Sequence, residues 1–316
     1  HESFQSGKKP IVGDKPFSIE DRQYFQCFPI SEFQNKEGFI FNTEYFKKQI
    51  RNWKYPFNFI DFEATNLPIS PYEGLESNER IAFQYSIHSL SEDGRVEHSA
   101  EHIFSSKNKN PSFEFLKRLC GDLSGNNGSI FMWSPYESWT LEGIKKQILR
   151  LKRENQYHRE LKFVDSVLNK GERELIDLYK IARDCTFYPN INGSLSIKQT
   201  LLAVIRHSKF LQQKYSNPIY GKENEIKSRN YRNKQWVVKN ENNNEYFNPY
   251  EIINDEDGLQ KNINQGGEAA GAFSQLLFGD LTPAEEEDLR NSLLRYCELD
   301  TLAMAMITES WINCNS

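Results

Sequence analysis

Residues 55 to 63 read Tyr-Pro-Phe-Asn-Phe-Ile-Asp-Phe-Glu, an apolar run that ends in two carboxylates one residue apart. A short, aromatic-rich run of this kind predicts a buried strand over Phe57 to Glu63. Successive side chains of a strand point to opposite faces, so Asp61 and Glu63 share one face while Phe62 enters the core. The chain must therefore bury this strand and still hold an acid pair at the lip of the sheet.

The 316 residues allow one large domain or one domain with elaborations. Apolar residues make up 38% of the chain, with 22 Phe and 15 Tyr, and the mean hydropathy is −0.71. That combination predicts an adequate core with long polar loops. No stretch approaches the roughly 20 apolar residues of a membrane span, so no membrane partner is expected. The chain starts at His1, and residues 1 to 15 resemble neither a signal peptide nor a packed element. We expect either a fragment of something longer or an appended leading segment. Cys27, Cys120, Cys185, Cys297 and Cys314 form no C-x-x-C pair, which argues against structural zinc and disulfides and predicts reduced thiols in a cytoplasmic protein. The net charge of −5 speaks against bulk coating of duplex DNA. It does not exclude a nuclease, because a carboxylate-rich metal site adds acid and basic contacts need only be local.

Residues 1 to 44 are expected as an arm or linker anchored by Phe25, Phe28, Phe39 and Phe41, followed by one domain over 45 to 316. Residues 81 to 90 alternate with period two, Asp93-Gly94 supplies a hairpin turn, and Arg95 to Phe104 returns as a third strand. A helix over Ser112 to Leu123 follows, then a short strand over residues 129 to 133. That strand leads into a helix from Pro135 to Glu154, whose apolar positions are Trp139, Ile144, Ile148 and Leu151. Further helices are expected over Glu172 to Arg183, carrying Asp177, and over Leu195 to His207, capped by Ser194. The pattern breaks from 208 to about 265, a polar insertion. It resumes at Pro283, whose following acids favour a helix N-terminus.

Tyr296 and Asp300 lie four apart on that last helix and so on one face. Phosphodiester hydrolysis needs an activated water and relief of charge at the phosphate, and two hard cations held by carboxylates do both. No Cys/His cluster competes for a softer metal, so Mg²⁺ or Mn²⁺ is expected. Taken singly, each half has a plainer explanation: a solvated strand end for Asp61 and Glu63, a surface helix for Tyr296 and Asp300.

In this order, the motifs resemble the DEDD superfamily of 3′→5′ exonucleases, tyrosine subgroup. Asp61 and Glu63, with Thr65 beyond them, match its first motif. Tyr296 and Asp300 match its third, with Arg295 where the histidine subgroup carries His. Residues 175 to 183 and the Gly193-Ser194-Leu195-Ser196-Ile197-Lys198 segment are similar to the stretch between its second and third motifs. The segments around residues 59, 83, 193 and 296 also resemble a little-characterised bacterial family in which such a domain often follows a separate nuclease-like domain in one long chain. The likeness runs from about residue 55 to 312. It implies a ribonuclease H-like mixed five-stranded sheet flanked by helices, two Mg²⁺ or Mn²⁺ ions, a single-stranded DNA or RNA 3′ end as partner, and a second nuclease domain of a longer parent chain. Asp61, Glu63, Glu137 and Asp300 would be the metal ligands, and Tyr296 would position the attacking water. The middle motif departs from the pattern: Trp133 stands where Asn is usual and Glu137 where Asp is usual. Glu137 is either a ligand with a longer arm or an ordinary first-turn acid, and Asp177 is the stand-in.

Within the insertion, Arg229, Tyr231, Arg232, Lys234 and Trp236 interleave cations with rings, a mixture that suits single-stranded nucleic acid; the plainer alternative is a solvated loop. Two functions follow. The first is a metal-dependent 3′→5′ exonuclease releasing nucleoside 5′-monophosphates. The second is a catalytically weak or inactive nucleic-acid-binding module serving a larger nuclease.

Overall fold

A computed structural model describes residues 9–104, 108–168, 170–189, 191, 193–240, 242, 244–256 and 266–315. In chain order its elements are α1 (Ile19–Cys27), β1 (Ile40–Phe41), α2 (Thr43–Ile50), β2 (Phe57–Asn66), β3 (Arg80–Leu90), β4 (Val96–Ile103), α3 (Pro111–Leu123), β5 (Ile130–Met132), α4 (Tyr136–Arg150), α5 (His158–Val167), β6 (Ile176–Asp177), α6 (Leu178–Cys185), β7 (Thr186–Phe187), α7 (Ile197–His207), α8 (Lys209–Tyr215), α9 (Pro249–Glu256), α10 (Gly266–Phe278) and α11 (Pro283–Asn315).

The apolar run does form the central strand. The main sheet has the order β4-β3-β2-β5-β6. Strands β2, β3 and β4 make an antiparallel meander, and β5 and β6 join parallel to β2. This mixed five-stranded sheet flanked by helices is a ribonuclease H-like arrangement, as the resemblance implied. Alternation along β2 sorts the core into two layers. Ile60 and Phe62 pack with residues of α3, α4 and α5, such as Phe115, Leu119, Ile144, Ile148 and Val164. Phe57 and Phe59 pack on the opposite face with Leu302, Ala303 and Met306 of α11 and Val204 of α7. Asp61 and Glu63 continue that second face, toward α11, and the register of β2 on β3 shifts just after Glu63.

Several local expectations change. Asp177 is not inside a helix: it ends β6 and caps α6, accepting from the backbone amides of Tyr179 and Lys180. The next helix begins two residues late, because the Ser196 hydroxyl, not that of Ser194, accepts from the Gln199 amide. Helix α4 stops at Arg150, short of Glu154. Trp139 is 58% exposed while Ile144 and Ile148 are buried; five residues separate Trp139 from Ile144, which is off the three-or-four spacing of a helix face.

Of the stretch expected as an arm, the described part from residue 9 onward packs onto the domain. β1 pairs with β7, and Phe25, Phe39 and Phe41 are buried. Phe28 is exposed and stacks on Tyr24. The five cysteines are free. No helix among the described residues is long and apolar enough to cross a membrane.

The expected polar insertion contributes buried rings to the main core. Tyr220, Tyr231 and Trp236 are buried with ring centroids 5.0 to 5.9 Å apart, and they join the main core cluster. Its backbone also docks on the sheet edge, where the His98 amide donates to the Lys227 carbonyl at 2.9 Å.

Candidate active site

Strand β2 brings Asp61 and Glu63 under α11, whose i, i+4 pair Tyr296 and Asp300 faces them. One carboxylate oxygen from each of Asp61, Glu63 and Asp300 lies within 4.8 Å of the others, near enough to share a cation. Glu63 and Asp300 are buried, and Asp61 is half-buried.

Glu137 reaches this neighbourhood from the second residue of α4. The turn that delivers it is tight: Ser134 has φ +76°, a left-handed conformation costly for a side chain with a Cβ. Asp177 holds that turn by accepting from the Ser134 amide at 3.0 Å. Trp133 fixes its other side, its indole N–H donating to the Leu195 carbonyl at 3.2 Å. Glu137 is 3% exposed, and its Oε2 is buried without a hydrogen-bond partner.

The acids are held protonation-prone. Burial first, then the charge of Asp300, pushes Asp61 well up, against the Cys297 thiol that donates to it at 3.1 Å. Burial, with Asp61, Asp300 and Glu137, does the same to Glu63. Burial and Asp61 raise Glu137. Asp300 rises to about 6, because burial outweighs the hydrogen bond of Tyr250 and the charge of Lys198. An unpartnered carboxylate oxygen among mutually repelling buried acids fits a divalent cation, the hard oxygen donors matching Mg²⁺ or Mn²⁺.

The sign of the pH dependence follows. A carboxyl whose folded value lies above its unfolded value binds its proton more tightly when folded, so its stabilising contribution is complete below the unfolded value, 3.8 for Asp300, and lost as pH rises through about 6. The melting temperature without divalent ion is expected to fall between pH 5 and pH 8, and millimolar Mg²⁺ or Mn²⁺ should restore more at pH 8 than at pH 5. Thermal melts across that range check this. An ion effect independent of pH contradicts it.

A second group, His98, Glu101 and Glu298, is also compact enough to hold a cation. Its carboxylates are largely engaged, although His98 Nδ1 is buried without a hydrogen-bond partner. Glu298 accepts from Tyr220 (2.5 Å), Ser228 (2.5 Å) and the Asn230 amide and side chain (3.2 and 2.7 Å), and its Oε1 lies 3.2 Å from His98 Nδ1. Asn230 also donates to Glu101 at 2.6 Å, and His98 Nε2 meets the Ser86 hydroxyl at 3.0 Å. Donors aimed at Glu298 already supply its positive partners, so this group reads as an internal clamp between the insertion, β4 and α11.

Among the expected nucleic-acid contacts, Tyr231, Lys234 and Trp236 are buried, so the two rings present no face on which a base could stack. Arg229 and Arg232 are exposed, and both spend donors on nearby carbonyls, Ser99 and Tyr231 respectively. Residues the sequence did not single out surround the acids instead. Tyr250, on α9 of the insertion, donates its hydroxyl to Asp300 Oδ1. The Lys198 ammonium lies over the rings of both Tyr250 and Tyr296, at 4.9 and 5.1 Å.

Residues 58–196 match the model of a family described as a domain of unknown function (DUF2779). The matched stretch contains Asp61, Glu63 and Glu137 and stops short of Lys198 and of α11. No curated protein and no solved structure matches the chain.

Proposed function

We propose that this chain is a metal-dependent 3′→5′ exonuclease of the DEDD type, tyrosine subgroup, acting on single-stranded nucleic acid. The observation that carries the reading is the convergence of Asp61, Glu63 and Asp300 within 4.8 Å, with Tyr296 one helical turn before Asp300 on the same face of α11. Asp61, Glu63, Glu137 and Asp300 would hold two Mg²⁺ or Mn²⁺ ions, which supply an activated water and neutralise charge as it builds on the phosphoryl oxygens.

The chain's own groups do the rest. Tyr296, one turn from Asp300 on α11, orients the water for attack on the phosphorus between the last two nucleotides. A new P–O bond forms, the bond to the penultimate 3′-oxygen breaks, and that oxygen takes a proton as the nucleoside 5′-monophosphate leaves. Tyr250 fixes the rotamer of Asp300 from the other side. Tyr250→Phe is therefore expected to weaken Mn²⁺ binding and hydrolysis by about 10- to 100-fold, the usual cost of losing a group that orients a ligand. A Mn²⁺ titration of both proteins checks this, and unchanged affinity contradicts it.

A binding module that lost turnover is the second reading, favoured by the longer arm of Glu137 and by Trp133 in the middle motif. Incubation with 3′- and 5′-labelled single-stranded DNA and RNA, in Mg²⁺, Mn²⁺ or EDTA, separates the two. Metal-dependent shortening from the 3′ end with release of 5′-monophosphates is the expected result and identifies the preferred sugar. Binding without cleavage in either metal would overturn the exonuclease in favour of the module.

A further inference from the structure

Lys198 carries a part-buried charge that sits in no ion pair among the described residues. It sits half-buried in the first turn of α7, where a cation opposes the positive end of the helix dipole. Its ammonium rests over the rings of Tyr250 and Tyr296, within electrostatic reach of Asp300, Glu268 and Glu63. Yet among the described residues it forms no ion pair within 4.0 Å, unlike Lys145 or Lys214, which each hold a carboxylate. Burying an ammonium part-way costs free energy, and cation–π contact returns only about 0.5 to 2 kcal/mol of it. Arg80 is not comparable, since its guanidinium is bonded to Thr140 and stacked on Tyr136.

Resting on the exonuclease reading, we infer that Lys198 binds the scissile phosphodiester, pairing its ammonium with a non-bridging phosphate oxygen. The charge balance supports this role. Two divalent ions would cancel the four carboxylates Asp61, Glu63, Glu137 and Asp300, so that the ammonium, with Glu268 the one other acid named within its reach, faces the negative charge of the phosphodiester. The two tyrosine rings keep the long side chain aimed across the acid cluster, so little conformational entropy remains to be lost when phosphate arrives. Tyr250 belongs to the insertion, so the insertion shapes the place where the substrate phosphate is received, without base stacking on Tyr231 or Trp236.

The test uses Lys198→Met, which keeps the apolar stem on the two rings and removes only the charge, beside Lys198→Arg. Three quantities are read on the full chain: the Mn²⁺-induced shift in melting temperature, the salt dependence of binding to a fluorescent single-stranded oligonucleotide with a 3′-hydroxyl, and hydrolysis of that oligonucleotide. Lys198→Met is expected to bind Mn²⁺ at least as well as wild type. Its oligonucleotide binding should weaken, with the slope of log K against log[salt] shallower by about 0.7, one phosphate contact on a single strand. Its kcat/KM should fall at least tenfold, with Lys198→Arg recovering part of the loss. A purely structural lysine would lower the melting temperature and leave the salt slope unchanged, and that result overturns the inference. Wild type that binds the oligonucleotide without cleaving it would defeat the exonuclease reading, while the salt slope still decides the role of Lys198. Equal cleavage and equal slopes in wild type and Lys198→Met would defeat the inference alone. Wild type that binds no oligonucleotide in either metal defeats both.

Discussion

Asp300→Asn is expected to abolish metal-dependent hydrolysis and, in the same protein, to raise the melting temperature measured without divalent ion. The two effects share one cause. Asp300 is buried against Asp61 and Glu63, and its carboxyl is displaced up to about 6, so at neutral pH its ionised form is held at a cost. Asparagine keeps the shape and still accepts from Tyr250, but it removes the repulsion, and a gain of a few degrees should follow. Lewis-acid stabilisation by a bound cation is worth several kcal/mol, and each 1.4 kcal/mol is a decade of rate. The loss of activity should therefore be at least about a thousandfold. Melts in EDTA and a labelled-end assay on one preparation check both halves. Destabilisation together with retained activity would show that Asp300 is an ordinary structural acid.

Glu298→Ala should have the largest effect on stability. Glu298 is fully buried and is the acceptor on which Tyr220, Ser228 and Asn230 converge, with His98 alongside. Removing it strands these donors in the interior, which costs about 3 to 5 kcal/mol, roughly 10 °C in melting temperature. It also releases the insertion from α11, two residues from Asp300. Burial alone would raise the Glu298 carboxyl, but its contacts with His98, His88 and Ser228 overcome that and hold it at about 2. A depressed carboxyl contributes stability above its unfolded value of 4.5 that is lost as pH falls toward 2. The gap between wild type and variant should accordingly be full at neutral pH and narrow below about pH 4. Chemical denaturation at pH 7 and pH 3 measures it; a constant gap would mean that the clamp acts by packing alone.

The central strand and the acid pair on it were legible because strand periodicity is written in nearest neighbours. Tyr296 and Asp300 were legible for the same reason on a helix. Glu298 was not, although it stands between them, since its partners Tyr220, Ser228 and His98 are 70 or more residues away and leave no local mark. The insertion misled in a specific way: with few aliphatic residues it reads as a solvated loop, yet Tyr220, Tyr231 and Trp236 fill a core with rings instead. The cation–aromatic alternation that suggested base stacking was thus half interior packing. Tyr250 had no signal at all, because a lone tyrosine in a polar stretch acquires its role only when α9 is laid against α11. Lys198 lay inside a segment already noted for its resemblance, and its position over two rings supplies the reason to single it out.

The most direct test is a Mn²⁺ titration followed by electron paramagnetic resonance at pH 8, on wild type and Asp300→Asn. Two bound ions per chain in wild type, with binding lost or severely weakened in the variant, is the predicted result. No saturable binding at millimolar Mn²⁺, or binding that survives in Asp300→Asn, would contradict the assignment of Asp61, Glu63, Glu137 and Asp300 as the metal centre, the second outcome pointing to His98, Glu101 and Glu298 instead.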